Sequence, residues 1–170
     1  PVALGAVMRG YGAGIVEASE HPDFKPGDAV VGVLGMQRYG LAKGEHIDKV
    51  DITVAPLTRW LGGLGMTGRT AYFGLLDVLK PVAGETVVVS AAAGAVGSLV
   101  GQIARIKGAR AVGIAGGAAK CRAVVEQLGF DACLDYKAGR LGEDLKAACP
   151  DGVDAYFENV GGDILDTMLL

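Results

Sequence analysis

The chain has 170 residues, a formal net charge of −3 and 51% hydrophobic residues, a composition that supports a packed core and excludes an intrinsically disordered protein. Its basic residues are scattered, so we expect no nucleic-acid surface, and no run of about 18 apolar residues lacks a charge or a glycine, so we expect no membrane span. The first residues lack the pattern of a signal peptide, and we therefore expect a cytoplasmic protein.

Residues 1–55 have the pattern of a small β-structure. Short apolar or glycine-bearing stretches alternate with turn residues, and the clearest turn is the segment 21–28 with its two prolines. Four strands are predicted, at Gly12–Ala18, Ala29–Val33, Met36–Ala42 and Val50–Val54. Because so few short strands cannot close a barrel, we interpret this segment as part of one.

After Pro56 the pattern changes to helices that alternate with strands. Residues 66–79 predict a helix, and from Glu85 the order is β-α-β-α-β-α-β. The predicted strands are Thr86–Ser90, Ala111–Ala115, Ala132–Tyr136 and Val153–Glu158, and the predicted helices are Ala95–Lys107, Ala118–Leu128 and Leu141–Ala148, with a last one from near Asp163. This alternation predicts an α/β fold with a doubly wound parallel sheet. We place the domain boundary near residue 65, between segments 1–65 and 66–170.

The turn after the first of these strands carries a glycine pattern typical of dinucleotide binding. Gly94 would allow the backbone to approach a pyrophosphate, and Gly97 would allow the following helix to pack closely on the strand. The spacing is Ala-x-Gly-x-x-Gly, with Ala92 at the place of the first glycine. The alternative is a helix start made of small residues that packs on a sheet without binding a ligand.

The end of the second strand favours NADPH over NADH. An Asp or Glu in this place would bind the ribose 2′-hydroxyl of NADH, but residues 114–120 contain no carboxylate. Lys120 supplies a positive charge that would attract the 2′-phosphate of NADPH. Taken alone, Lys120 has a simple alternative as a solvated helix residue.

Four motifs, in this order, resemble one known family. They are Gly-Asp-Ala-Val-Val-Gly at 27–32, Leu-Gly-Met-Thr-Gly-Arg-Thr-Ala-Tyr at 64–72, Ala-Ala-Ala-Gly-Ala-Val-Gly at 91–97 and Phe-Glu-Asn-Val-Gly-Gly at 157–162. The chain resembles the zinc-independent medium-chain dehydrogenase/reductases, in the branch of NADPH-dependent alkenal/one reductases that includes prostaglandin and curcumin reductases. The resemblance implies part of a GroES-like β-barrel followed by part of a Rossmann domain, both incomplete. It also implies hydride transfer from NADPH to the C=C bond of an α,β-unsaturated ketone or aldehyde, and a homodimer.

The resemblance also assigns roles to individual residues, matched motif by motif. It implies that the pyrophosphate is bound by Gly94, Ala95, Val96 and Gly97, and the 2′-phosphate by Lys120 and Tyr136. It also implies that Asn159 contacts the cofactor at the end of the fourth strand, and that Met66 and Thr70 line the nicotinamide side of the cleft. Each of three side chains has a purely structural alternative: Tyr136 as a half-buried strand-end residue, Met66 as core and Thr70 as a helix-turn cap.

Two features limit these assignments. Thr67 stands where this branch often has proline, and members of the family are considerably longer than this chain, so that we interpret the chain as an internal fragment. The tyrosine usually proposed as proton donor is expected beyond Leu170, and the catalytic residues stay unassigned.

No metal is predicted. Gly10–Tyr11 and Met66–Thr67 occupy the places where zinc alcohol dehydrogenases carry metal ligands, and the three cysteines are widely spaced. Two functional alternatives stay open: an NADPH quinone oxidoreductase of the same superfamily, and a non-catalytic NADPH-binding protein.

Overall fold

The structure is a computed structural model that describes residues 2–170, and it divides into two compact units, one ending at Thr67 and the other spanning Gly68–Leu170. The first unit contains an antiparallel sheet of three short strands in the order β1-β2-β3: β1 is Gly12–Ile15, β2 is Ala29–Gly32 and β3 is Ile47–Lys49. The central strand β2 is buried along its whole length, as its apolar residues predict. The assignment of residues 1–65 to a larger barrel stays a prediction.

Two predicted strands of the first unit are wrong. Residues 36–42 form bends and irregular structure, and residues 50–54 form irregular structure and a turn at 52–54, while β3 lies between these two segments. The carboxylate of Asp51 explains the second error, since it accepts hydrogen bonds from the N–H (2.8 Å) and the hydroxyl (2.6 Å) of Thr53. Such a side-chain turn competes directly with strand pairing.

The second unit contains a parallel sheet of four strands in the order β6-β5-β4-β7. The strands are β4 (Thr86–Val89), β5 (Arg110–Ala115), β6 (Ala132–Asp135) and β7 (Ala155–Phe157). The helices are α1 (Met66–Phe73), which begins in the first unit, α2 (Gly97–Ile106), α3 (Ala118–Glu126), α4 (Leu141–Ala148) and α5 (Gly162–Met168). The prediction of an α/β fold with a doubly wound parallel sheet is confirmed.

Alternation along β4 builds a core on each face of this sheet. Val87 and Val89 pack on one side with Val100 of α2, while Val88 packs on the other side with Ile164 of α5. All three valines are fully buried, which is the environment that central parallel strands require. Helices therefore cover both faces of this sheet.

Two aspartates fix the strands at their amino ends. Asp131, just before β6, accepts a hydrogen bond from the N–H of Ala111 (2.8 Å), and Asp154, just before β7, accepts one from the N–H of Thr86 (2.8 Å). Asp131 also pairs with Arg105 of α2. These contacts set the register of neighbouring strands at the edge of the sheet opposite the candidate site.

The helix predicted over residues 66–79 is one continuous segment that changes its geometry. After α1, residues Gly74–Leu79 form a π-helical turn, which closes with a hydrogen bond from the N–H of Lys80 to the Leu75 carbonyl (2.8 Å). Lys80 then reverses the chain in the left-handed conformation (φ 54°).

Candidate functional site

The carboxyl ends of the four parallel strands lie at one edge of the sheet, where open α/β sheets bind ligands. Adjacent strands are about 4.8 Å apart, so the four ends span roughly 14 Å. In sequence, these ends continue into Ser90–Gly97, Gly116–Lys120, Asp135–Lys137 and Glu158–Gly161. Seven of the predicted site residues therefore belong to one edge, and the structure brings them together there: Gly94, Ala95, Val96, Gly97, Lys120, Tyr136 and Asn159.

The turn after β4 depends on Ala91 and Gly97. Ala91 adopts the left-handed conformation (φ 48°), and its carbonyl accepts a hydrogen bond from the N–H of Gly94 (2.8 Å). A Cβ atom at Gly97 would lie 2.9 Å from the carbonyl carbon of Ala91 and 3.1 Å from the Cα of Ala92. Gly97 therefore permits the close packing that the glycine pattern predicts.

Ala92, at the place of the first fingerprint glycine, is a core residue. It is fully buried and donates its N–H to the Ile114 carbonyl (3.0 Å). The left-handed conformation in this turn belongs to the preceding residue, Ala91. The sequence gives no signal for it, because an alanine rarely adopts a positive φ.

The start of α2 is suited to an anion. Among residues 2–170, no hydrogen-bond partner is found for the backbone N–H groups of Ala95 and Val96, and no side chain caps the helix at Val96. Amide groups at the first turn of a helix attract negative charge through their dipoles. The close approach at Gly97 and these amides fit a pyrophosphate group.

At the ends of β5 and β6, two turns are joined by Asp135. Its Oδ1 atom accepts hydrogen bonds from the N–H of Gly117 (2.8 Å) and of Lys137 (3.0 Å). Tyr136, 42% exposed, lies over the backbone of Gly116, since a Cβ atom there would be 3.0 Å from the Tyr136 hydroxyl. Lys120 is exposed in the first turn of α3, and its N–H bonds the Gly117 carbonyl (3.0 Å).

Asp135 and Lys137 were missed by the sequence analysis. No carboxylate follows β5 directly in the sequence, whereas Asp135 reaches the same turn from β6, where it pairs with Ala115. The signal was available, because the ends of neighbouring parallel strands meet at one edge. The absence of a carboxylate after β5 is therefore a weaker argument for NADPH than the positive charges beside it.

After the end of β7, Asn159 is hydrogen-bonded to Ser90, the residue that follows β4. Its backbone N–H donates to the hydroxyl oxygen of Ser90 (2.7 Å), and its side-chain Nδ2 donates to the Ser90 carbonyl (2.9 Å). Ser90 is fully buried, while Asn159 is exposed. The two contacts fix the direction of the Asn159 side chain at the point where β4 and β7 end side by side.

Glu158 holds the loop that follows Asn159. Its Oε1 atom accepts hydrogen bonds from the N–H of Val160, the N–H of Gly161 (2.7 Å) and the Ser90 hydroxyl (3.2 Å). Burial opposes ionisation, but the nearby Tyr156 hydroxyl and the hydrogen bonds from the two amides and Ser90 outweigh it and lower the pKa of Glu158. Glu158 is therefore a carboxylate at neutral pH.

The pKa of Tyr156, next to Glu158, shifts in the opposite direction. Burial is the main cause that raises the pKa of Tyr156, and the neighbouring Glu158 carboxylate adds to it. Tyr156 thus keeps its proton at neutral pH.

Met66 and Thr70 lie four residues apart on α1 and are both exposed. Their place beside a nicotinamide ring stays a prediction. No group of three or more His, Cys, Asp or Glu side chains that could hold a metal ion is found over residues 2–170. In the same part of the chain, no helix is long and apolar enough to cross a membrane.

Comparisons with known proteins show what the chain is similar to. Residues 95–170 match the family model described as zinc-binding dehydrogenase, and residues 1–50 match the N-terminal domain of oxidoreductase. Both models are described as parts of dehydrogenases or oxidoreductases. The family resemblance derived from the four motifs is thereby confirmed.

Curated reductases are similar to this chain over almost its whole length. The NADPH-dependent curcumin reductase of Escherichia coli (strain K12) is 50% identical over 169 residues, covering 99% of this chain and 49% of the relative. The 2-alkenal reductase (NADP(+)-dependent) of Nicotiana tabacum is 44% identical over 170 residues, covering 99% of this chain and 50% of the relative. The chain spans about half the length of the curated relatives it matches.

A solved structure extends the similarity to three dimensions. The crystal structure of CurA from Vibrio vulnificus in complex with NADPH is 45% identical in sequence and superposes with a TM-score of 0.88. The match covers 99% of this chain and 50% of CurA.

Proposed function

We propose that this protein is an NADPH-dependent reductase that transfers hydride to the C=C bond of α,β-unsaturated ketones or aldehydes. The observation that carries the proposal is 44–50% identity over nearly the whole chain to reductases named for curcumin and 2-alkenals. The anion-binding turn at Gly94–Gly97 supports it, since its small residues and free amides suit a dinucleotide.

Within this proposal, each cofactor-binding residue has a separate task. The amides of residues 95–96 bind the pyrophosphate, Lys120 and Tyr136 bind the 2′-phosphate, and Asn159 contacts the other end of NADPH from the end of β7. NADPH supplies the hydride. The hydrogen bonds between Ser90 and Asn159 keep this contact fixed while NADPH is bound, which is the positioning that hydride transfer requires.

The substrate class follows from the relatives and from the chemistry. Reduction of a conjugated C=C bond needs a hydride, correct positioning and stabilisation of the resulting enolate. We assign Met66 and Thr70 to the nicotinamide side of the substrate site. We further propose that the protein is cytoplasmic, binds no metal, and forms a homodimer, which light scattering after size-exclusion chromatography would test.

The decisive experiment is NADPH consumption with a panel of enones, enals, quinones and alcohols. We expect oxidation of NADPH, followed by its absorbance, with enones and enals. A response to quinones alone would instead favour a quinone oxidoreductase. NADPH binding without oxidation by any acceptor would favour the non-catalytic alternative and refute the reductase proposal.

A further inference from the structure

Lys137 is a positively charged residue at the candidate site that neither the glycine pattern nor the family motifs assigned. It follows Tyr136 in a short 3₁₀ helix, Tyr136–Ala138. A Cβ atom at Gly116 would lie 3.1 Å from Cε of Lys137 and 3.0 Å from the hydroxyl of Tyr136. These two side-chain atoms are therefore no more than about 6 Å apart, on the same side of the β5 turn.

Asp135 holds this arrangement in place. One of its oxygens accepts the N–H of Gly117 (2.8 Å) from the β5 turn and the N–H of Lys137 itself (3.0 Å). The end of β6 is thereby tied to the turn that begins α3. Lys137 consequently has an anchored backbone, while its long side chain extends over a glycine that leaves room for it.

The charges at this turn are incompletely paired. Within the part of the chain that the structure describes, neither Lys137 nor Lys120 has a carboxylate within 4.0 Å of its ammonium group. Asp135 is the nearby anion on these two turns, and its Oδ1 atom is engaged by two amides. Two ammonium groups against one carboxylate leave a net positive charge beside the Tyr136 hydroxyl.

We propose that Lys137 is a second cation for the 2′-phosphate of NADPH and determines, with Lys120 and Tyr136, the selectivity for NADPH over NADH. This inference rests on the proposed function. A phosphate monoester carries between one and two negative charges at neutral pH and three acceptor oxygens. Lys120 reaches it from α3, and Lys137 reaches it from the end of β6, so that each binds a different oxygen.

The test compares Lys137→Ala with Lys107→Ala, which removes the same charge beyond the C-terminal end of α2. Dissociation constants for NADPH and NADH are measured by fluorescence titration, and those for 2′,5′-ADP and 5′-AMP by competition. We expect Lys137→Ala to weaken NADPH and 2′,5′-ADP about tenfold and to leave NADH and 5′-AMP unchanged, as befits one lost charge-assisted contact. Lys107→Ala should change none of them, and Lys137→Arg should restore most of the loss.

The outcomes separate this inference from the proposed function. If the wild type binds NADPH no more tightly than NADH, the proposed cofactor fails, and the role of Lys137 fails with it. If the wild type prefers NADPH, and Lys120→Ala reduces that preference while Lys137→Ala does not, only the inference about Lys137 is overturned. Unchanged 5′-AMP binding shows that a variant is folded.

Discussion

Replacing Gly97 with alanine tests the close packing on which the dinucleotide site depends. Gly97 is the first residue of α2 and is buried, and it faces the backbone of the preceding turn. A methyl group there would lie 2.9 Å from the carbonyl carbon of Ala91, and still closer to its oxygen. Because the obstructing atoms are backbone atoms, no side-chain rotation can make room for the methyl group.

The expected cost follows from two opposing contributions. Alanine in place of glycine within a helix gains at most about 1 kcal/mol of stability, and less at the first helical position. Overpacking against atoms that cannot move aside costs roughly 1–3 kcal/mol. We therefore expect Gly97→Ala to lower the free energy of unfolding by roughly 1–2 kcal/mol. It should also weaken NADPH binding, since the turn must shift away from the α2 amides.

Gly142→Ala is the matched control, because Gly142 also lies at the start of a helix, α4, but has room for a methyl group. A Cβ atom there would meet Thr167 Cγ2 at 3.7 Å, an ordinary contact, so we expect a gain of roughly 0.5–1 kcal/mol. Urea unfolding of both variants and fluorescence titration with NADPH supply the measurements. A Gly97→Ala variant that is as stable as Gly142→Ala and binds NADPH normally would refute the reasoning.

Further predictions concern charge, pH and packing. Lys120→Ala should weaken NADPH binding much more than NADH binding in fluorescence titrations, and an equal loss for both would refute the contact with the 2′-phosphate. Glu158→Gln should lose less stability on acidification than the wild type. Because the pKa of Glu158 is lowered in the folded state, its carboxylate stabilises the folded protein at pH values above the unfolded pKa of about 4.3. This stabilisation is lost as the pH falls through the folded-state pKa. Urea unfolding at neutral and acidic pH measures this, and identical pH dependence would count against it. Gly101→Ala should destabilise by roughly 1–3 kcal/mol because its methyl would overlap the buried Phe130 ring. Combining it with Phe130→Ala should cost less than the sum of both in thermal unfolding, whereas simple additivity would contradict the overlap.

The fold of the second unit could be predicted because the residue types of its strands and the positions of its turns both favour the same α/β arrangement. The run Thr86–Val89 is β-branched throughout and fully buried, and glycines or turns separate each strand from its helix. Helix α4 was predicted with its observed bounds, Leu141–Ala148. Strand ends were less accurate: Tyr136 begins a 3₁₀ helix, since Asp135 caps it by accepting the N–H of Lys137.

The first unit was harder to predict because its short strands carry little hydrophobic pattern. Strand β3 exposes Asp48 and Lys49 and forms by pairing with β2, a contact distant in sequence. Residues 36–42 include apolar side chains, yet Met36 and Tyr39 are 70% and 69% exposed. The side-chain amide of Gln37 instead bonds the Leu34 carbonyl (2.8 Å) and forms a local turn. Local hydrogen bonds thus outweighed apolar content in both wrong strands.

The candidate site combines residues from strands that are distant in sequence. The chain offers Lys120 after β5 for the 2′-position, but the parallel register places Asp135 of β6 opposite Ala115. A negative charge beside this turn would by itself disfavour a 2′-phosphate. Its Oδ1 atom, however, is engaged by two amides, while Lys137 brings a positive charge from the same strand end. We therefore expect the preference for NADPH to depend on the balance of charges across two neighbouring strands, which becomes visible only when their order in the sheet is known.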